Sequence, residues 1–445
     1  MTAMTRRWFL TVTGAAVSAG ATSACGPTPT GGGGAQPHAS SPPEPVAFLR
    51  TSWSTDPFAL GSYSYLAPSP LGVSVREKLA APVGRLHFAG EATSGEAPAT
   101  QTGALLSGRR AAAEIIKAAR PGERVTVVGS GFSGLGCARD LTDAGLRVTV
   151  LEGRDRIGGR TWTEHLDGIP AEMGASWIHG HKGNPMTKLL RETGGLSYPF
   201  DYDNAVGQDK KALAELETYL AKAEDVEDPD TTPFSALLPR KMSPALRYAV
   251  SSVLVQEYGA DPEQLAVSAE EEGTGGRGGD LLLPDGYDSL LAHVRGGIPV
   301  RTGAIVTRIA RSTGGVTLTL TGDETLRADR CVVTVPIGVL KARKIAFQPE
   351  LPAQKREAID ALGSGLLDKL WLQFPSVFWD KDADLIEWFD PDDPGRWSLW
   401  VNGHRAFGKP ILLGFNAGRP AHDHARLTDR QVVESAMDAL RRMHA

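Results

Sequence analysis

Arg124-Val125-Thr126-Val127-Val128-Gly129-Ser130-Gly131-Phe132-Ser133-Gly134 is the stretch on which the fold turns. Arg124–Val128 is a short apolar β run, and three glycines follow it at the spacing G-x-G-x-x-G. A helix-like stretch then runs through Leu141, and residues 146–151 form a second strand closed by Glu152, about 20 residues past the glycines. Strand, glycine turn, helix, strand and terminal acid in register make a βαβ dinucleotide-binding unit. Each position has a physical task. Gly129 permits the tight turn and Gly131 lets backbone N–H groups approach a pyrophosphate. Ser133 lies in the same turn, and Gly134 lets the helix pack on the strand, its N-terminus facing the phosphates. Glu152 accepts hydrogen bonds from an adenosine ribose and would repel a 2′-phosphate, so FAD and NAD both fit at this point. A glycine-rich turn without a ligand is the bland alternative, and the register of the surrounding elements argues against it.

Working outward, the chain has 445 residues, enough for two or three domains of roughly 100–200 residues each. It is 41% hydrophobic and 22% charged, with a formal net charge of −5, which disfavours nucleic acid as the main partner and is compatible with a cationic substrate. Cys25, Cys137 and Cys331 show no metal-like spacing; Cys137 in a helix and Cys331 in a strand read as small buried residues. Near the start, Thr5-Arg6-Arg7-Trp8-Phe9-Leu10 resembles a twin-arginine export signal. The apolar run after it, residues 12–24, is short of the about 20 residues a bilayer needs. The chain is therefore expected to be exported and extracytoplasmic, either secreted or held by a lipid anchor at Cys25. Thr22 occupies the position where a lipoprotein signal favours leucine, so plain cleavage near Ala24 is the alternative. Residues 26–45, mostly Gly, Pro, Ser and Thr, read as a tether.

Beyond the βαβ unit, residues 300–309 and 316–320 alternate like antiparallel strands, and residues 331–335 read as a buried strand ended by Pro336. Residues 185–193, 209–223 and 244–255 read as helices, and 428–443 as an amphipathic helix at the C-terminus.

Longer motifs carry a family resemblance. The run from Glu152 through Gly158-Gly159-Arg160, the run Gly174-Ala175-Ser176-Trp177-Ile178-His179-Gly180, Val306, the run from Val333 to Lys341, and the segment from Leu362-Gly363 through Lys369 to Phe378-Trp379 together resemble the flavin-containing amine oxidases. That family includes polyamine oxidases, monoamine oxidases and histone lysine demethylases. The resemblance covers residue 46 to the end and implies an α/β fold, a Rossmann-like FAD-binding domain beside an α+β substrate-binding domain. Its motifs stand in an unusual order. Gly61-Ser62-Tyr63-Ser64-Tyr65, Phe88-Ala89-Gly90-Glu91-Ala92-Thr93 and the helix beginning near Gly103 close the chain in the family, whereas here they precede the glycine fingerprint. A circular permutation accounts for this, with the old C-terminal helix fused to the first strand through Arg120-Pro121-Gly122-Glu123. The expected organisation is an export signal in 1–25, a linker in 26–45, substrate-domain segments in 46–80, 186–280 and 343–445, and FAD-domain segments in 81–185 and 281–342.

The resemblance also implies roles. Lys369 would hold a water beside the flavin, its pKa lowered in an apolar strand; an exposed lysine at a strand edge is the bland alternative. Glu91, beside Gly90, would bond the ribityl hydroxyls, and the backbone of Val306 would meet the adenine. Arg154 and Arg160 suit the pyrophosphate and its surroundings. Gly174 and Trp177 belong to the cofactor-facing motif. His179 would stand near the amine, and Tyr63 or Tyr65 would supply an aromatic wall, although alternation allows both to be core. The motif with Tyr63 has no cysteine, so FAD is expected to be non-covalent. Thr100, assigned to the cofactor site, stands where monoamine oxidases have a second cage tyrosine. The expected partners are a small-molecule amine and O2, with no metal and no sign of oligomeric state. His179 with His181, and His422-Asp423-His424, read as solvated rather than metal-binding, and Glu270-Glu271-Glu272 as a solvated acidic surface. The competing readings are an amino-acid oxidase of the same fold, which would need a buried arginine for the substrate carboxylate, and a non-catalytic flavin-fold protein.

Overall fold

The computed structural model of the protein describes residues 41–273 and 276–444. The twin-arginine stretch, Cys25 and most of the tether lie outside the described residues.

A five-stranded parallel sheet organises the glycine fingerprint. Its order is Val300–Arg301, Arg147–Leu151, Arg124–Val128, Arg330–Val333 and Leu86–Phe88. The central strands are nearly unbroken apolar runs because both faces are covered. The Phe132–Asp143 and Gln101–Ala118 helices pack together on this sheet, and small residues set their approach. A Cβ at Gly108 would lie 2.0 Å from the Ser133 carbonyl oxygen, and one at Gly134 would lie 2.0 Å from that of Gly129. Gly134 therefore does the packing its motif position implies. Gly122, at φ +77°, turns the chain between the Gln101–Ala118 helix and the Arg124–Val128 strand.

A six-stranded sheet forms the other large layer, in the order Ala47–Arg50, Leu367–Gln373, Ile411–Ala417, Leu399–Asn402, Leu385–Glu387 and Ala205–Val206. All its pairs are antiparallel except the last. The Asp429–Met443 helix lies against it, burying Val432, Ala436, Met437 and Leu440 among Leu370, Leu372 and Trp400. Glu44 and Arg441 meet in an exposed 2.6 Å ion pair, so the two ends of the described core are neighbours.

Several expectations need correction. Residues 300–309 are not one strand. Val300–Arg301 joins the parallel sheet, and Val306–Ser312 belongs to a separate four-stranded sheet, because the chain turns at Gly303 (φ +66°). The helix expected over 244–255 is α-helical only over Pro244–Val250 and widens to a π turn over Ser251–Val255, a feature often found beside functional sites. The 422–424 segment is not a solvated loop. It ends the Gly418–His424 helix, and His424 is buried in a stack on Trp397. Glu272 is not a surface acid either, because it is buried against Arg76. Among the described residues no helix is long and apolar enough to cross a membrane, and no cluster of three His, Cys, Asp or Glu could hold a metal.

Candidate active site

A single cavity of about 710 Å³ runs from the glycine turn to the six-stranded sheet. It is lined by Gly129, Gly131, Ser133, Glu152, Arg154, Arg160, Gly174, Trp177, Val306, Gly90, Glu91 and Thr100, and also by Tyr63, His179 and Lys369. Of the residues singled out from sequence, only Gly134 and Tyr65 are absent from its wall. Gly134 acts behind it, as above. Tyr65 is not a wall residue: its ring packs over Gly363, whose added Cβ would lie 2.0 Å from the ring, in the core between the Tyr63–Leu66 and Leu362–Gly365 strands. Tyr63 is the tyrosine that faces inward, its hydroxyl donating to the Gln256 carbonyl at 3.1 Å.

At the glycine end, Gly129 has φ +108°, and a Cβ there would meet the Thr334 hydroxyl at 2.4 Å. Gly131 caps the Phe132–Asp143 helix with no side-chain hydrogen bond, which leaves first-turn N–H groups for an anion. Glu152 holds the turn by accepting from the Ser130 backbone N–H (2.9 Å) and hydroxyl (2.7 Å) and from the Arg154 N–H (2.9 Å). Arg154 pairs with Asp56 at 2.6 Å and lies over Phe58, while its buried Nη2 has no protein partner.

In the middle of the cavity, Glu91 is the hub of a buried charge network. It accepts from Arg160 at 2.9 Å, the Ser64 hydroxyl at 2.5 Å and the Ala99 N–H at 3.0 Å. Arg76 bonds the same serine at 2.7 Å and pairs bidentately with Glu272 at 2.5 and 2.8 Å. Burial alone would raise the Glu91 carboxyl. The Arg160 and Arg76 guanidinium groups and the Ser64 hydroxyl outweigh burial and hold it below the usual carboxylate range. Thr100 reaches the cavity wall, but its hydroxyl is engaged as a helix cap, accepting from the Gly103 N–H at 3.0 Å and donating to the Ala97 carbonyl at 2.8 Å.

The far end is aromatic. Trp177 packs against Phe200 (5.6 Å, edge-on) and Phe415 (6.1 Å), and Phe200 against Tyr202 (4.8 Å). Lys369 is buried below them, 5.8 Å from the Trp177 ring. Its ammonium donates to the Glu172 carbonyl (3.0 Å), the Ser176 hydroxyl (2.6 Å) and the Gly174 carbonyl. Its donors are thus taken by protein, so a water beside it must share or replace one of these acceptors. Burial pushes its pKa down to about 7, against the pull of Glu172.

Several residues here have no sequence signature: Asp280, Tyr202, Phe415, Gln256 and Glu257. The Gln256 side-chain amide lines the cavity, buried and without a partner for either heteroatom. Only the π turn preceding it marks it out, and that is not legible from composition.

The sequence profile described as flavin containing amine oxidoreductase matches residues 34–116, 132–258 and 224–445. The chain belongs to that family. This amine oxidase is 32% identical to polyamine oxidase 4 of Oryza sativa subsp. japonica over 354 residues, and 33% identical to polyamine oxidase 2 of Arabidopsis thaliana over 354 residues. Each alignment covers 72% of both chains. A wild-type putrescine oxidase solved bound to putrescine shares the fold, with a TM-score of 0.58 at 20% identity, covering 72% of this chain and 81% of that one. The enzyme is an amine oxidase with FAD as its cofactor, and its cavity fits that group. The uncapped helix N-terminus, the unpartnered Arg154 Nη2 and the ionised Glu91 stand along one continuous wall.

Proposed function

We propose that this amine oxidase binds FAD non-covalently and oxidises a polyamine or related primary or secondary amine. In the overall reaction, amine, O2 and water become aldehyde, the released amine and H2O2. Bound FAD supplies the two-electron acceptor for the C–H beside nitrogen. The observation that carries the reading is the chemistry of the aromatic end. Rings of Trp177, Phe415 and Tyr63 suit an alkyl chain and a cation, and the side chains beside them include Glu257 and the His179–Asp280 pair. An amino-acid oxidase would need an arginine there for the carboxylate. Neither arginine lining the cavity stands there: Arg154 pairs with Asp56 at the glycine end and Arg160 with Glu91 in the middle.

The proposed division of labour follows the geometry. The turn from Gly129 to Ser133 takes the pyrophosphate, Glu152 and Val306 the adenosine, and Glu91 the ribityl hydroxyls, with Gly90, Arg160 and Gly174 around them. Lys369 sits at the reacting end, and Trp177 and Tyr63 exclude water. Non-covalent binding is supported by the described cysteines. Cys137 and Cys331 are wholly buried away from the cavity, and burial pushes both thiols up.

We also infer a circularly permuted Rossmann-like FAD domain. In its support, the Leu86–Phe88 strand is hydrogen-bonded beside Arg330–Val333 in the same parallel sheet as the fingerprint strand, and the core's two ends touch through Glu44 and Arg441. A recombinant chain that starts at Glu123 and joins residue 444 to residue 44 through a short linker should fold and bind FAD; failure to bind would count against the inference. Export by the twin-arginine route, with or without a lipid anchor at Cys25, is proposed on sequence alone.

The decisive test is a peroxide-coupled screen of polyamines, monoamines and amino acids, with anaerobic bleaching of the flavin. Bleaching by amines and not by amino acids is expected. Bleaching only by amino acids would overturn the substrate class, and acid-precipitated protein that retains its flavin would overturn the non-covalent assignment.

A further inference from the structure

Three short strands, distant in sequence, meet at the amine end: Trp177–Ile178, Asp280–Leu282 and Tyr198–Phe200. Their register, Leu281 opposite Ile178 and Leu282 opposite Trp177, sets Asp280 directly across from His179. The Asp280 side chain is wholly buried, whereas His179 is 41% exposed towards the cavity. Oδ2 of Asp280 lies 2.6 Å from Nδ1 of His179 and accepts from the Tyr202 hydroxyl at 3.2 Å, and Oδ1 accepts from the Gly180 N–H at 3.0 Å. A carboxylate only accepts, so Nδ1 of His179 carries a proton, and in the neutral ring Nε2 is the basic nitrogen. The Trp177 ring, stacked on the imidazole at 22° and 6.4 Å, holds its plane.

We propose that Asp280 is a positioning residue that makes His179 the proton acceptor for the incoming substrate ammonium. This rests on the amine reading above. Amines arrive protonated, and the C–H beside nitrogen is oxidised only when the nitrogen has its lone pair. One substrate N–H bond breaks, an Nε2–H bond forms, and the imidazolium charge faces the Asp280 carboxylate. The proton later leaves His179 for solvent. Asp280 thus acts as a carboxylate behind a histidine does elsewhere, setting the tautomer and stabilising the charged ring. Among the described residues, other titratable or charged groups around the pair include Tyr202, Tyr287, Glu172, Glu257, Lys369, His181 and Arg277. All of them are retained when Asp280 alone is changed.

The test uses the FAD-loaded enzyme, its Asp280→Asn, Asp280→Glu and His179→Gln variants, and imidazole ¹⁵N spectra beside kinetics. In the wild type, the resonance lost in His179→Gln should show the neutral Nδ1–H tautomer. Asp280→Asn should lower the titration midpoint of that resonance and lower kcat/KM by about 10- to 100-fold. The acid limb of kcat/KM should move to lower pH, because the imidazolium loses its counter-charge. FAD content should be unchanged, and Asp280→Glu should recover part of the loss. A wild-type His179 in the Nε2–H tautomer would overturn the proposal without any variant. So would an Asn variant with an unmoved limb and wild-type kcat/KM. If no amine bleaches the wild-type flavin, the amine reading fails, and the tautomer then decides the Asp280–His179 arrangement separately.

Discussion

At the glycine end of the cavity, Gly129, Gly131, Ser133 and Glu152 come from one strand–turn–helix–strand run. At the aromatic end, Trp177, Tyr202, Asp280, Lys369 and Phe415 come from five segments, joined by the registers of two sheets. The first end is built from backbone: positive φ, close approach and helix first-turn N–H groups that no side chain caps. The second works through side chains. The two should therefore fail differently. Added atoms at the glycine end should expel the cofactor, whereas altered groups at the aromatic end should impair turnover in a protein that stays yellow.

The largest effect is expected at Gly134. A side chain there would run into the Gly129 carbonyl oxygen, 2.0 Å from the added Cβ, and backbone cannot yield as a flexible side chain can. Gly134→Val should drive the helix off the strand and reduce bound FAD by more than about tenfold, read as absorbance near 450 nm after gel filtration. A yellow variant would break the claim that backbone contact governs this end.

Lys369→Met should act in the opposite way. The side chain keeps its length and loses its charge, and of the groups proposed to hold the cofactor it bonds only the Gly174 carbonyl. FAD content should stay near wild type while turnover falls about 10²-fold or more. Burial pushes the Lys369 ammonium down and the Glu172 carboxyl up, so the two titrate as a pair near neutrality. A bend near pH 7 in the Lys369-dependent half-reaction should vanish in the variant. Stopped-flow traces that bleach and reoxidise at wild-type rates would make Lys369 a structural residue.

Legibility from sequence divides along the same line. The glycine end was readable because its geometry is local: Gly129, Gly134 and Glu152 owe their spacing to one βαβ unit, and no distant contact is needed to see it. Lys369, Trp177 and His179 were reached only through motif resemblance. Asp280 looks like any acid before an apolar run, and nothing in its neighbourhood announces a strand that will pair with Trp177–Ile178. Tyr65 and Tyr63 show the limit most clearly. Alternation puts both on one face of a strand, but the strand's end reaches the cavity at Tyr63 while Tyr65 closes over Gly363. Glu272 was misread because its partner, Arg76, is far away in sequence.

Glu91 lies between the two ends and tests where the boundary falls. Its carboxyl is held below the usual range in the folded protein, so it stabilises the fold fully above its unfolded value near 4.5, and that stabilisation is lost as pH falls through the lowered folded value. Glu91→Gln leaves Arg160 and Arg76 facing an uncharged amide. It should cost about 3 kcal/mol at pH 7 and progressively less in acid, where the wild-type carboxyl is protonated too. Parallel unfolding curves for wild type and variant at pH 7 and in acid would check this; a constant difference at every pH would remove the charge from the explanation. FAD should be retained more weakly than in Lys369→Met and more strongly than in Gly134→Val.

The smallest effect is expected at Tyr63, where ring and hydroxyl can be separated. The hydroxyl donates to the Gln256 carbonyl, a neutral hydrogen bond worth about 1 kcal/mol, with no proposed part in the chemistry. Tyr63→Phe should therefore move KM by about fivefold at most and leave kcat unchanged. Removing the ring in Tyr63→Ala takes away a face for the cationic chain, worth about 0.5–2 kcal/mol, so KM should rise by roughly 2- to 30-fold. It also admits water beside Lys369 and should lower kcat modestly, with FAD still bound. If Phe and Ala variants are equally impaired, the hydroxyl and its link to the π turn matter more than the aromatic face, and the amine end is a hydrogen-bonded site. If Ala alone is impaired and its penalty grows with the length of the amine, the ring is the wall along which the substrate chain lies.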